Sequence, residues 1–203
     1  MLTTKLIVER LNKEGKLLER REQLARSFIL QFIGLLYIHH GNVTYSMDDI
    51  TNTGRLVSSN APRNLLVGSP PGLVGLNLDA DNSIVGEKLG IQVGTGSTAP
   101  TPTDYALETR VAHGEGADQL EYGGTEFYGL TFVNPNGEFT LRRYFTNVSG
   151  GTITIREVGI YALGMTAPAA GAYAFCIARD VIVALDVLNN EILRVTYVPQ
   201  ITV

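Results

Sequence analysis

The alternation between Glu138 and Tyr161 constrains the fold more than any other feature of this chain. From Glu138 to Asn147, Phe139, Leu141 and Phe145 fall on one face of an extended strand, and Thr140, Arg142, Tyr144 and Thr146 fall on the other. After the turn residues Ser149-Gly150-Gly151 the pattern resumes from Thr152 to Tyr161. Ile153 and Ile155 share one phase there, while Val158 and Ile160 take the opposite one, so a β-bulge is expected at Arg156-Glu157. A period of two cannot line one face of a helix. An isolated hairpin is at best marginally stable, so the remaining chain must supply more strands.

It does so readily. Lys5–Leu11 and Lys16–Arg20 read as a hairpin around Asn12-Lys13-Glu14-Gly15, with an early helix as the runner-up because Leu, Lys and Glu all favour one. Leu89–Val93, Gln119–Glu121, Phe127–Val133, Tyr173–Ala178, Val181–Val187 and Glu191–Val203 are further strand runs. Gly94-Thr95-Gly96-Ser97, Gly123-Gly124, Asn134-Pro135-Asn136-Gly137 and Leu188-Asn189-Asn190 punctuate them. Glycine supplies 22 of 203 residues, well above the usual share of roughly 7%. One helix is expected, over Glu22–Ile38, where Leu24, Phe28, Gln31, Phe32, Leu35 and Leu36 follow helical spacing and Gly41 stops the run. Its second half is apolar nearly all round, which suits a buried core helix or one packed on symmetry mates.

The expected fold class is mainly β: an antiparallel β-sandwich or small, jelly-roll-like β-barrel with one buried N-terminal helix and a long irregular arm. Residues 1–41 form the hairpin and helix, 42–87 the turn-punctuated arm, and 88–203 the sandwich core, which makes one compact domain with 1–41. Loops as long as 42–87 inside a domain are usually functional or reach a neighbour.

Composition narrows the function. Charged residues are only 18% and the net charge is -4, which gives no global attraction for nucleic acid and hints at surface covered by partners. The single Cys176 excludes an internal disulfide and a cysteine-rich zinc site, and in its apolar strand it reads as a small buried hydrophobe. The longest apolar run, Phe28–Ile38, is about half of what a spanning helix needs. Met1–Lys5 opens no signal peptide, so an unsecreted, soluble chain with no membrane partner is expected.

No chemical motif survives inspection of its context. Gly94-Thr95-Gly96-Ser97-Thr98-Ala99 fits a relaxed dinucleotide pattern, but Pro100 and Pro102 forbid the helix that would bind phosphate. Asp79, Asp81 and Ser83 are spaced like calcium-loop ligands, yet Ile84 and Gly90 occupy the required Gly and Glu positions. His39 and His40 point apart on a helix, and His113 is distant in sequence. No nucleophile elbow or zinc-protease motif occurs. The expectation is therefore no catalytic, cofactor-binding or metal site, and not an enzyme. Arg142 and Arg143 point to opposite faces of one strand, so at least one of them meets something other than open water, or the strand is an edge. Arg142 and Tyr144 share a face and have the chemistry of interface anchors.

A set of motifs resembles the virion structural proteins of tailed bacteriophages. These are Gly90–Leu107, then Val111-Ala112-His113-Gly114, then Phe145–Ala162 with its Phe-Thr-Asn-x-Ser-Gly-Gly opening, then Ala178-Arg179-Asp180-Val181 before a final Thr-Tyr strand. The resemblance runs from about Leu24 to the end, and the motifs are specific as a set. It implies a β-rich, non-enzymatic structural protein present in many symmetric copies in the virion and assembled in the bacterial cytoplasm. The favoured form is a capsid decoration or cement protein, a homotrimer bound to other virion proteins such as the major capsid protein. A tail, collar or baseplate protein is the first alternative. A host-glycan-binding β-sandwich is the second, with Tyr105, Tyr122, Phe127 and Tyr128 as its aromatics. The interface candidates are Phe28, Phe32, Leu35, Leu36, Arg142 and Tyr144, with the Gly54–Gly86 arm beside them.

Overall fold

The computed structural model describes residues 2–25, 28–34, 44–58, 88–165 and 172–202. Eleven strands run through them: β1 (Leu2–Leu11), β2 (Leu17–Ala25), β3 (Thr44–Asp48), β4 (Gly54–Ser58), β5 (Gly90–Gly94), β6 (Ala112–His113), β7 (Gln119–Val133), β8 (Asn136–Thr146), β9 (Ile153–Met165), β10 (Ala172–Val187) and β11 (Ile192–Thr202). The fold is mainly β, as the alternation requires. A curled six-stranded sheet has the order β2-β1-β11-β8-β7-β6 and faces a three-stranded sheet of order β10-β9-β5. β3 and β4 pair as a separate hairpin. Every pairing is antiparallel except that of β6 with β7.

The core lies between the two sheets. Leu6 and Val8 of β1, Tyr122 of β7, Leu141 and Phe145 of β8, and Val195 and Tyr197 of β11 meet Ile91 and Val93 of β5, Val158 and Ile160 of β9, and Phe175 and Leu185 of β10. Ile153 and Ile155 reach this core from the opposite phase to Val158 and Ile160. The ladder is irregular at the expected place, but the extra residues are on the partner strand: Glu157 pairs with Val181 and Ile155 with Leu185. Arg143 is the arginine that turns inward. It donates to the carbonyls of Leu89 at 2.7 Å, Ile91 at 3.0 Å and Gly123 at 2.7 Å. Its guanidinium lies 4.9 Å from the Tyr122 ring centroid. A side chain of β8 thus stitches one sheet to the first strand of the other, and its many fixed donors suit it to several carbonyls at once.

Two expectations need correction. Glu22–Ala25 is not the start of a helix: β2 continues through Ala25, its residues alternating between exposed and half-buried. The described helix is confined to residues 30–34. The strand prevails because its inward side chains have work on the opposite sheet. Arg21 donates to the carbonyls of Val183 and Ala184, and Gln23 to that of Val181. Phe139, expected to share a buried face with Leu141 and Phe145, is exposed, because it lies in the outer part of the β7–β8 hairpin, where the neighbouring β7 residues are exposed as well. Much of the 42–87 arm lies outside the described residues; within it, residues 44–58 form the β3–β4 hairpin.

The outer face of the small sheet is covered as well. Ile29, Leu107, Tyr161 and Cys176 form a second apolar cluster on that side. The Ile29 N–H donates to the Ile177 carbonyl at 3.1 Å and the Leu30 N–H to the Pro102 carbonyl at 2.9 Å. Residues 28–34 and the loop from Thr95 to Arg110 therefore make a third layer over β9 and β10.

This register predicts a contrast within one strand. Phe145→Ala should cost about 3–5 kcal/mol in denaturant unfolding, as a large-to-small change in a packed core. Phe139→Ala should change stability by no more than about 0.5 kcal/mol.

Candidate functional site

Glu157, on the outer face of β9, is completely buried. One carboxylate oxygen accepts from the N–H groups of Gly96 at 3.2 Å and Thr109 at 2.8 Å. The other accepts from the Glu108 N–H at 3.0 Å and from Arg179 Nε at 2.9 Å. Arg179 is buried too. It pairs with Asp104 at 2.6 Å, reaches Glu108 at 3.5 Å, and donates to the Thr98 carbonyl at 3.0 Å. Glu108 in turn accepts the N–H groups of Ser97 and Thr98. The loop has no regular secondary structure, so its backbone donors go to carboxylates instead.

The chain's small residues make this approach possible. A Cβ at Gly94 would sit 2.6 Å from the Thr109 carbonyl oxygen and 2.5 Å from Glu157 Oε1. One at Gly159 would sit 2.9 Å from the Ala178 carbonyl oxygen. Tyr161 completes the seat, its hydroxyl oxygen accepting the Leu107 N–H at 2.6 Å. Burial, then the neighbouring Cys176, pushes that hydroxyl well above its ordinary pKa. Burial pushes the Cys176 thiol far up as well, so it stays protonated and is a poor nucleophile.

Chemically, this cluster is saturated. The carboxylate of Glu157 has about four acceptor positions, and four donors fill them. Arg179 is surrounded by Glu157, Asp104 and Glu108. Among the described residues no group of three or more His, Cys, Asp or Glu is placed to hold a metal ion. The network organises a loop; it offers no open position for a substrate.

The residues expected at an interface are dispersed. Phe28 and Phe32 stack on each other with centroids 4.4 Å apart and pack, half-buried, against the chain's own core. Leu35 and Leu36 lie outside the described residues, as do His39, His40, Asp79, Asp81 and Ser83. His113 is structural, its Nδ1 accepting the Tyr122 N–H at 2.9 Å. Arg142 and Tyr144 do share the outer face of the large sheet, opposite Thr196 and Arg194 of β11. There Arg142 donates to the Tyr128 hydroxyl at 2.9 Å, and Arg194 pairs with Glu9 at 2.7 Å.

Among the described residues the most exposed apolar surface was only partly read from the sequence, through Phe127 and Tyr128. At the end of the β7–β8 hairpin every residue from Glu126 to Pro135 is exposed. Leu130 is 80%, Phe132 70% and Val133 74% accessible, with Phe127, Tyr128 and Ile201 beside them. The turn itself is Asn134-Pro135, with a cis peptide bond between them. Its Asn-Pro-Asn-Gly signal was legible. What the sequence lacks is any sign that Leu130, Phe132 and Val133 are left uncovered.

No family model matches the chain, and no curated protein or solved structure matches it.

Two predictions concern the network. Glu157→Gln leaves Arg179 short of its buried partner and should cost about 3–5 kcal/mol in denaturant unfolding. Acid should also loosen the fold. The Arg194 hydrogen bond holds Glu9 below its ordinary value of 4.5, and the Thr98 N–H and hydroxyl do the same for Glu108. For Asp104, burial pushes the pKa up, but hydrogen bonds from Thr101 and Arg179 outweigh it and leave it below 3.8. Folded values below unfolded ones give stability that is present above the ordinary values and is lost as pH falls through the folded ones. Thermal melts should therefore fall steeply below about pH 4.5, and Asp104→Asn should flatten that decline.

Proposed function

We propose that this chain is a non-enzymatic structural protein of a tailed-phage particle, a capsid decoration or cement protein acting as a homotrimer. The observation that carries the reading is the projecting β7–β8 hairpin, whose apolar side chains are bare on both faces of the ribbon. Contiguous apolar surface of this kind marks a partner site more often than it persists in water. A two-sided tongue suits insertion between neighbours, where each face meets a different subunit. Many such contacts acting together hold a shell even when each is weak.

The motifs of the phage resemblance support the same reading. Glu157, Gly159, Tyr161 and Arg179 build the saturated network described above. Asn147 of the Phe-Thr-Asn-x-Ser-Gly-Gly element donates to the carbonyls of Gly151 at 2.8 Å and Val187 at 2.7 Å, tying two turns together. The residues that carry the resemblance are thus scaffold residues, which is the pattern of a protein that works by shape. The Arg142/Tyr144 face supplies a second, polar contact surface.

The test is a Leu130→Asp/Phe132→Asp double variant of the full chain. Both residues face solvent, so the folded state should change by no more than about 0.5 kcal/mol per substitution. Trimer formation in light scattering and co-sedimentation with empty phage heads should be lost. Undiminished binding by the folded variant would overturn the hairpin assignment. Wild-type binding to isolated tails, with none to heads, would replace decoration by a tail or collar role.

A further inference from the structure

We infer that the outer edge of β2 is a second self-contact, at which two copies of this chain pair antiparallel across a two-fold axis through Arg21. This deepens the assembly reading and rests on it for the premise that the chain works in multiple copies. β2 is the terminal strand of the six-stranded sheet. Among the described residues only β1 pairs with it. It holds nine residues, Leu17–Ala25, with neither proline nor glycine. An edge of that length is a template for another strand.

Its side chains are already sorted for a partner. Arg21 and Gln23 point inward and are held by the carbonyls of β10, and Arg21 also pairs with Glu19 at 2.6 Å. These bonds fix the strand in place before any partner arrives. The outward face reads Leu18, Arg20, Glu22, Leu24. Arg20 and Glu22 pair at 2.9 Å within the chain and are solvent-exposed, and Leu18 and Leu24 are 46% and 54% accessible.

This face is self-complementary in one register. Directly opposed residues in an antiparallel pair put their side chains on the same sheet face. A two-fold axis therefore passes through a residue, and even positions oppose even ones. With the axis at Arg21, Arg20 opposes Glu22 of the second copy and Glu22 opposes its Arg20. Leu24 then meets the exposed Leu17-Leu18 end, where the ladder with β1 carries its bulge. Moving the axis to residue 20 sets Arg20 against Arg20, and moving it to residue 22 sets Glu22 against Glu22. Like charges directly opposed are destabilising. At the axis itself the two Arg21 side chains are each occupied by their own Glu19 and β10 carbonyls. The occupant is thus a second copy, because the charge order that would repel a random strand is matched by its own reversal.

The test uses full-length chains carrying Leu130→Asp/Phe132→Asp, so that hairpin contacts are silent and the two contacts are read separately. Sedimentation velocity at low salt should show a two-chain species in this background. Adding Arg20→Glu, or Glu22→Arg, should raise its dissociation constant about tenfold. Each single variant alone lacks both the internal pair and the cross-strand pair. An equimolar mixture of the two restores only the cross-strand pairs, and it should recover the two-chain species as a mixed dimer. A single-chain background at all concentrations, or a mixture no better than either variant alone, would overturn the inference. Neither result touches the hairpin assignment, which is read from head binding.

Discussion

The buried pair between Glu157 and Arg179 is the interaction on which the rest of the structure depends. The three-stranded sheet has two faces to cover, and the six-stranded sheet covers only one. The other face is closed by fifteen or so residues of irregular chain, which have no ladder of their own to satisfy their N–H groups. Glu157 supplies acceptors for three of those groups from a single buried position. Arg179, two residues along β10 from the partner of Glu157, donates to the carboxylate and gathers Asp104 and Glu108 from the loop itself. Desolvating such charges is expensive, and their pairing alone does not guarantee a gain in stability. What it does is specify one loop path, because any other path would leave a buried charge without partners.

A second cation performs the corresponding task inside the core. Arg143 joins β8 to β5 through carbonyls, where an apolar side chain could only pack. On the far seam Arg21 and Gln23 join β2 to β10 in the same manner. At the β2–β10 margin the two sheets are therefore held by side chains donating to backbone, while at the β5 margin the Val111 N–H, next to β6, also donates to the Val93 carbonyl at 3.0 Å. Backbone bonds at one margin and side chains at the other leave the two sheets as a half-barrel.

Much of this frame was legible where period-two alternation was strong. The runs around Leu141, Phe145, Ile153 and Ile160 marked the central strands, and adjacency of Arg142 and Arg143 left either an inward arginine or an edge strand. Legibility failed where polar residues take inward positions. In Leu17–Ala25 the inward row is Glu19, Arg21 and Gln23, which looks like a solvated helix start because its partners are carbonyls over 150 residues away. The Glu157 network failed for the same reason. The partners of Glu157 stand 22 to 61 positions from it, and no local pattern joins an acid to the amides it will accept. The exposed hairpin was readable as a turn, but which of its side chains stay uncovered depends on tertiary packing that no local pattern encodes.

The Asn147 tie and the hairpin tip sit at opposite ends of β8, so the molecule has a stiff base and a free tongue. β8 is flanked on both sides, by β7 and β11, and antiparallel hydrogen bonds run perpendicular to the strands. A force applied at the tongue along β8 would load these bonds together, in shear, whereas a sideways pull would peel them singly. The protein is thus mechanically anisotropic, firm along its strands and yielding across them, and its resistance to strain depends on how it is oriented to the load.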